Sequence, residues 1–318
     1  MLLAAAACCG VDGYVVAAET YPVKPVRLIA PFPPSGGVDF TTRLVAGPLS
    51  AALGQQVIVE NRAGAGGIVG TEFVARAAPD GYTLTVGSAG THALHQSLYP
   101  KLPYHVLRDF QPLARLSDAP NVLAVHPSLP VRSVKDLIAL ARARPAQIMY
   151  ASAGAGTPPH LAAVLFEHLA RVKLVHVPYK GGGPAMIALV SGEVPVTFGT
   201  AASVSPHTRT GRLRAVAITG SQRSALLPEL PTIAESGLPG YEMLNWIGMF
   251  APAGTLRNVV EKLSSELVRI VRLPEVTARF HGGGVEPAPL GADEFAAFVK
   301  SEVEKWAKVV TATGMTAN

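Results

Sequence analysis

Cysteine is almost missing from this chain. Its 318 residues hold two, Cys8 and Cys9, side by side near the start. The rest of the chain therefore has no disulfide framework, no thiolate metal site and no cysteine nucleophile. Charge is also scarce. Asp, Glu, Lys and Arg make up 15% of the residues and hydrophobic residues 49%, a balance that buries large cores and excludes a disordered chain. The formal net charge of +5 comes from dispersed Lys and Arg, with no basic run interleaved with aromatics. Nucleic-acid binders gather such charge on one face, so nucleic acid is not an expected partner. There is no G-x-S-x-G elbow and no H-E-x-x-H pair. No two carboxylates are spaced for acid–base work. His92 and His95, three apart, share a helix face but lack a third ligand of clear spacing, so they define no metal site. Neither metal nor cofactor is expected.

The first eighteen residues read as the remnant of a secretory signal peptide. MLLAAAACCGV is apolar, YVVAA follows, and Val16-Ala17-Ala18 ahead of Glu19 has the small-residue pattern of a cleavage site. A basic n-region is absent, since the first cation is Lys24. A buried N-terminal helix is the competing reading. No other stretch is apolar for long enough to span a bilayer.

At this length two domains are expected. VRLIAPF, QVIVENR and YTLTVGS read as strands near 26, 56 and 82. Phe40, Leu44, Val45, Leu49 and Leu53 recur at helical spacing between the first two, and Pro48 should kink or break that helix. NVLAVHP, IMYAS, VKLVHVPY, VPVTFG, LRAVAIT and WIGMFAP continue the strands, with helices from Ser133, Pro158 and Pro184. The alternation predicts βαβ units and a largely parallel sheet. The C-terminal part reads as helical, with Leu256, Val259, Val260, Leu263, Leu267 and Val271 on one apolar face and Phe295, Phe298, Val299, Val303 and Trp306 on another. No linker splits the chain in two. An interleaved layout is expected, with 19–120 and 248–318 forming one domain and 121–247 the other. Two sequential domains are the simpler alternative.

Two glycine-rich loops carry the functional signal. PFPPSGGVDF follows the first strand and ASAGAGTPPH follows IMY, and each opens a helix. Backbone N–H groups and a helix N-terminus aimed at one spot favour an anion. In the first loop Gly36 and Gly37 permit the turn, and Asp39 either caps the helix or accepts from a ligand-bridging water. In the second, Gly154 and Gly156 free the backbone, Ser152 and Thr157 bring hydroxyls, and Pro158 suits the first helical position. Thr157 sits at the expected cap. No Lys follows the glycines, and the dinucleotide spacing fails both here and in GAGGIVG. VPYKGGGPA is a third such junction, where Tyr179 is placed to line a cleft and Lys180 adds positive potential. Two anion spots in separate halves suggest capture of a small carboxylate more than chemistry upon it. The alternative is an enzyme acting on a small organic acid, with the loops as an oxyanion or phosphate site; it lacks a nucleophile set.

Taken together, PFPPSGGVDFTTR, VIVENRAGAGGIVGTEFVARAAPDGYTL, ASAGAGTPPHLAAVLF, HVPYKGGGPA, LPTIAESGLPGYE, WIGMFAPAGT and the ending with Lys305-Trp306 resemble the Bug family. These are the substrate-binding proteins of tripartite tricarboxylate transporters. The resemblance implies an α/β, two-domain, type II periplasmic-binding-protein ("Venus flytrap") architecture that takes a small carboxylate between its domains. It implies a periplasmic monomer, with membrane transporter subunits or a sensor domain as partner, and no enzyme. It carries ligand contacts onto Phe32, Pro34, Ser35, Gly36 and Asp39, onto Ser152, Gly154, Gly156 and Thr157, and puts Ser88 and His92 of GSAGTHAL near the cleft. Three departures stand out. Ser35 replaces a usual glycine. Pro48 interrupts a usually regular helix. Gly199 replaces an Asp that in many relatives binds a ligand amine or hydroxyl, which argues for a simpler acid.

Overall fold

The structure is a computed structural model that describes residues 21–34 and 36–316; the leader expected over 1–18, and Ser35, lie outside them. The chain runs β1 (Val26–Ala30), α1 (Gly37–Leu53), β2 (Val57–Asn61), α2 (Ile68–Ala75), β3 (Thr83–Ser88), α3 (His95–Leu98), α4 (Val106–Asp109) and β4 (Phe110–Ala119). Then come β5 (Asn121–Val125), α5 (Val134–Ala143), β6 (Met149–Ser152), α6 (Pro158–Ala170), β7 (Val175–Pro178), α7 (Gly182–Ser191), β8 (Val196–Thr200), α8 (Ala201–Arg209) and β9 (Arg214–Ile218). It closes with β10 (Asn245–Pro252), α9 (Arg257–Val271), α10 (Pro274–Gly282), β11 (Glu286–Leu290) and α11 (Ala292–Thr313).

These strands make two sheets and two lobes. The first sheet has the order β11-β4-β10-β3-β1-β2 and the second β7-β6-β8-β5-β9. Strands from both ends of the chain meet in the first sheet, and the second is built from the middle. The chain leaves the first sheet at Pro120, between β4 and β5, and returns in β10.

The sheets are mixed and not largely parallel. β1 lies parallel to β2 and β3, and β6 parallel to β7 and β8. β10 runs antiparallel to β3 and β4, and β5 antiparallel to β8 and β9. β11 also runs antiparallel to β4; the other antiparallel pairs are made by β5 and β10, which flank the two crossings. A chain that changes lobes does not complete a right-handed βαβ return, so local alternation misjudges those strands.

The strands form where buried β-branched and aliphatic residues run together. Every residue of β5 is buried, and four of the five in β1. The best-defined helix start is α5, where the Ser133 side chain accepts from the Asp136 N–H and Asp136 Oδ2 accepts from the Arg132 N–H at 2.9 Å. Pro48 does not break α1, which continues to Leu53 and ends at Gly54 in the left-handed region, φ 66°. Gly47 precedes the proline, and without a Cβ it escapes much of the clash that Pro inflicts on its predecessor. α9 buries Val259, Val260, Leu263, Leu267, Ile270 and Val271, but Leu256 precedes its first turn and is exposed.

α11 ties the lobes together. It packs on β4 and α3 in the first lobe and on α6 in the second. One continuous apolar cluster runs from Ile29 and Val74 through Trp246, Phe295 and Trp306 to Leu123, Phe166 and Phe198. Near the return crossing, the Trp246 indole N–H donates to Glu302 Oε2 at 3.0 Å. Lys305 pairs with Glu302 and donates to the Glu242 carbonyl.

Candidate functional site

A cavity of about 370 Å³ lies between the lobes. The first lobe gives it Phe32, Gly37, Val38, Ser88, His95 and Tyr99. The second gives Gly156, Thr157, Pro158 and Leu161, and Met243, Asn245 and Ile247 come from the return crossing. Thr316, just past α11, also reaches its wall. The turn Ala65–Gly67 supports this wall from below. Gly67 has φ 96°, and a Cβ there would sit 2.9 Å from the Phe32 ring. Gly67 of GAGGIVG thus serves close packing of the turn beneath Phe32, and Gly66 lines the cavity itself.

The cavity is electrically neutral. Among the described residues no Lys, Arg, Asp or Glu lines it. Its histidine is uncharged near neutrality, because burial pushes the His95 imidazole down to about 4. His95 and Ser88 are each 8% exposed. His95 Nδ1 is buried without a partner, and its ring meets Tyr99 edge to face at 4.9 Å. The first turn of α1 adds the Gly37 and Val38 N–H groups, which have no acceptor within a helix, and the positive end of its dipole.

The facing loop is differently built. α6 begins with Pro158-Pro159, which remove two of the donors a helix start normally offers. Gly156 N–H donates to His160 Nδ1 at 3.0 Å and Gly154 N–H to Ser152 Oγ at 3.1 Å. Thr157 occupies the cap position but does not cap; its hydroxyl donates to the Gly154 carbonyl at 2.7 Å. Ser152 Oγ also lies 2.6 Å from His176 Nε2, and the His176 ring stacks on His160 at 4.1 Å. Burial first, and the neighbouring His176 second, push His160 down to about 4. The loop's own donors are thus largely taken up in holding its shape.

The structure brings Phe32, Gly37, Ser88, Gly156 and Thr157 together in this cavity. Ser152 and Gly199 line an adjoining depression of about 300 Å³ in the second lobe, which shares Thr157 and Pro158 with the main cavity. A Cβ on Gly199 would fall 2.9 Å from Val204 Cγ2, so the small residue fits tight packing of β8 on α8. Pro34 and Gly36 lie on the exposed rim and line neither cavity.

Asp39 does not line the cavity. The cap position is Gly36, and Asp39 sits in the first turn, buried, accepting from Arg43 Nε at 3.0 Å and Asn61 Nδ2 at 2.8 Å. Gly154 and Tyr179 line neither cavity; the Tyr179 hydroxyl donates to Glu193 at 3.1 Å. His92 is fully buried behind the wall, stacked on Phe250 at 3.9 Å, and burial pushes it down to about 3. Over Gly90–Leu94 the chain makes a wide π-type turn, which sends His92 inward and leaves His95 at the cavity. Pairing the two histidines on one face misses that turn. Tyr99, Asn245 and Met243 also escape a sequence reading, because no motif marks them. Among the described residues no three His, Cys, Asp or Glu converge as a metal set, and no helix is long and apolar enough to cross a membrane.

Two α/β lobes around a cleft of this kind define a solute-binding protein. The tripartite tricarboxylate transporter family receptor model matches residues 41–315, and the chain belongs to that family. It is 40% identical over 301 residues to a UPF0065 protein from the tcbD-tcbE intergenic region of Pseudomonas sp. (strain P51), covering 94% of this chain and 89% of the relative. BugT of Bordetella pertussis is 38% identical, covering 94% and 92%. Among solved structures, R. palustris Rpa4515 with adipate has a TM-score of 0.77 at 34% identity, covering 93% of this chain and 99% of that one. MatC from Rhodopseudomonas palustris with bound malate has a TM-score of 0.72 at 33% identity, covering 91% and 100%. Other solved neighbours are the periplasmic binding protein BugD, 33% identical, and a TctC solute binding protein from Polaromonas, 27% identical; the family is one of solute-binding proteins and not enzymes.

Proposed function

We propose that this chain captures a small carboxylate between its lobes outside the cytoplasm, in the periplasm. It delivers that ligand to the membrane subunits of a tripartite tricarboxylate transporter or to a sensor domain. The observation that carries the reading is the interlobe cavity, with the first turn of α1, Ser88 and His95 on one wall and the second glycine loop on the other. Solved relatives that hold adipate and malate support it. Strand membership supports the interleaved layout expected as 19–120 with 248–318 and 121–247, with the return placed slightly earlier, at Asn245 where β10 begins. In this reading the protein is a monomer.

A ligand at 100 times its Kd stabilises a fold by about 2.7 kcal/mol. A thermal-shift panel of mono-, di- and tricarboxylates should therefore yield at least one clear rise in Tm, and the stabilising acid should be recovered unchanged after long incubation. A panel with no hit, or steady conversion of the acid, overturns the reading.

A further inference from the structure

We propose that the cavity selects an acid bearing one carboxylate on an apolar body over the dicarboxylate of the same length. This rests on the reading above, that the cleft binds a carboxylate, and goes beyond it by naming the class.

Donors are concentrated on one wall. The 17-residue α1 offers the Gly37 and Val38 N–H groups and its dipole to an anion. Ser88 and His95, both more than nine-tenths buried, line the same cavity, and His95 Nδ1 is buried with no hydrogen-bond partner among the described residues. The opposite wall has little to give. Pro158 and Pro159 carry no N–H, the Gly156 N–H is held by His160, and the Thr157 hydroxyl by Gly154. Between the walls stand Leu98, Leu161, Met243 and Ile247, together with the neutral polar side chains of Tyr99, Asn245 and Thr316.

One carboxylate can therefore be satisfied by neutral donors. A second at the far end of the ligand would exchange its water for apolar side chains and the neutral Tyr99, Asn245 and Thr316, with no cation in the lining among the described residues to answer it. An apolar end in the same place gains from burial. The absent Asp and Glu likewise leave nothing to pair with a ligand ammonium.

Calorimetric titration at pH 7 with two matched pairs tests this: hexanoate against adipate, and 4-methylbenzoate against terephthalate. The expected result is tenfold or tighter binding of the monocarboxylate in whichever pair binds. A dicarboxylate that binds as tightly as its partner, or more tightly, overturns the proposal and leaves the carboxylate reading intact. If no acid of either pair or of the wider panel binds, both fall. Ala155→Arg, at an exposed position of the facing loop, puts a permanent cation on the wall opposite α1 and should raise the dicarboxylate-to-monocarboxylate affinity ratio by tenfold or more. An unchanged ratio in a variant with wild-type circular dichroism also overturns the proposal. Should that variant not fold, the wild-type ratio decides alone.

Discussion

His92, His95 and His160 are imidazoles that folding removes from water, down to about 3, 4 and 4. In the unfolded chain each titrates near 6.5. Between pH 6.5 and about 4 the unfolded chain therefore binds protons that the folded one does not. Their contribution is complete above pH 6.5 and is lost as pH falls through that window, by about 1.4 kcal/mol per unit for each histidine. Urea melts at pH 7.5, 6 and 5 should show the decline, and a flat profile would contradict these environments. His92→Phe keeps a ring against Phe250 and should reduce the slope by one proton. Thr157 gives a second test at this scale. Its hydroxyl holds the Gly154 carbonyl, so Thr157→Val should cost about 0.5–1.5 kcal/mol of stability. Hexanoate affinity should stay within about threefold. A tenfold loss in a folded variant would show that the hydroxyl turns to the ligand on binding.

Among the elements, α1 carries its proline at a cost. Proline in a helix interior is about 3 kcal/mol less favourable than alanine, partly offset by its stiffer unfolded chain. Pro48→Ala should raise stability by about 1–2 kcal/mol; a lower Tm would mean the half-buried ring packs better than its backbone fits. In β10, Gly248 lies opposite Gly87, and a Cβ there would sit 2.2 Å from the Phe295 ring. Gly248→Ala should cost about 1–3 kcal/mol by overpacking, read by denaturant melts. Most elements were legible from period and boundary. β1, β5, β8 and β10 are apolar runs with clear ends, and α5 and α6 announce their starts at Ser133 and Pro158. β4 and β11 were not. β4, with polar Arg115, Ser117 and Asp118, does not alternate cleanly, and β11 contains Pro287 and Pro289. Both depend on pairing with distant β10 or each other. The cavity lining was legible where glycine loops mark it, at Phe32, Gly37, Gly156 and Thr157. It was opaque at His95, Tyr99 and Asn245, whose places depend on a wide turn and a return crossing.

For the molecule as a whole, the two crossings at Pro120 and β10 are joined by α11, which lies on both lobes. Closure on a ligand must therefore pass through the Trp246–Glu302–Lys305 contacts as well as the strands. Glu302→Ala orphans the buried Trp246 N–H and should cost about 1–3 kcal/mol. Small-angle scattering with saturating hexanoate should give a smaller radius of gyration for wild type, accompanied by a change in tryptophan emission. Superimposable curves at demonstrated saturation would show that the cleft fills without closing. The position of Thr316 has a practical consequence. The main chain leaves α11 and passes the cavity wall there, beside Ala155 and His160 of the facing loop's surroundings. A purification tag fused after it would begin at the mouth of the cleft and compete with whatever enters. A small environment-sensitive dye attached there would report each loading event, turning the same geometry into an optical sensor for the acid it carries.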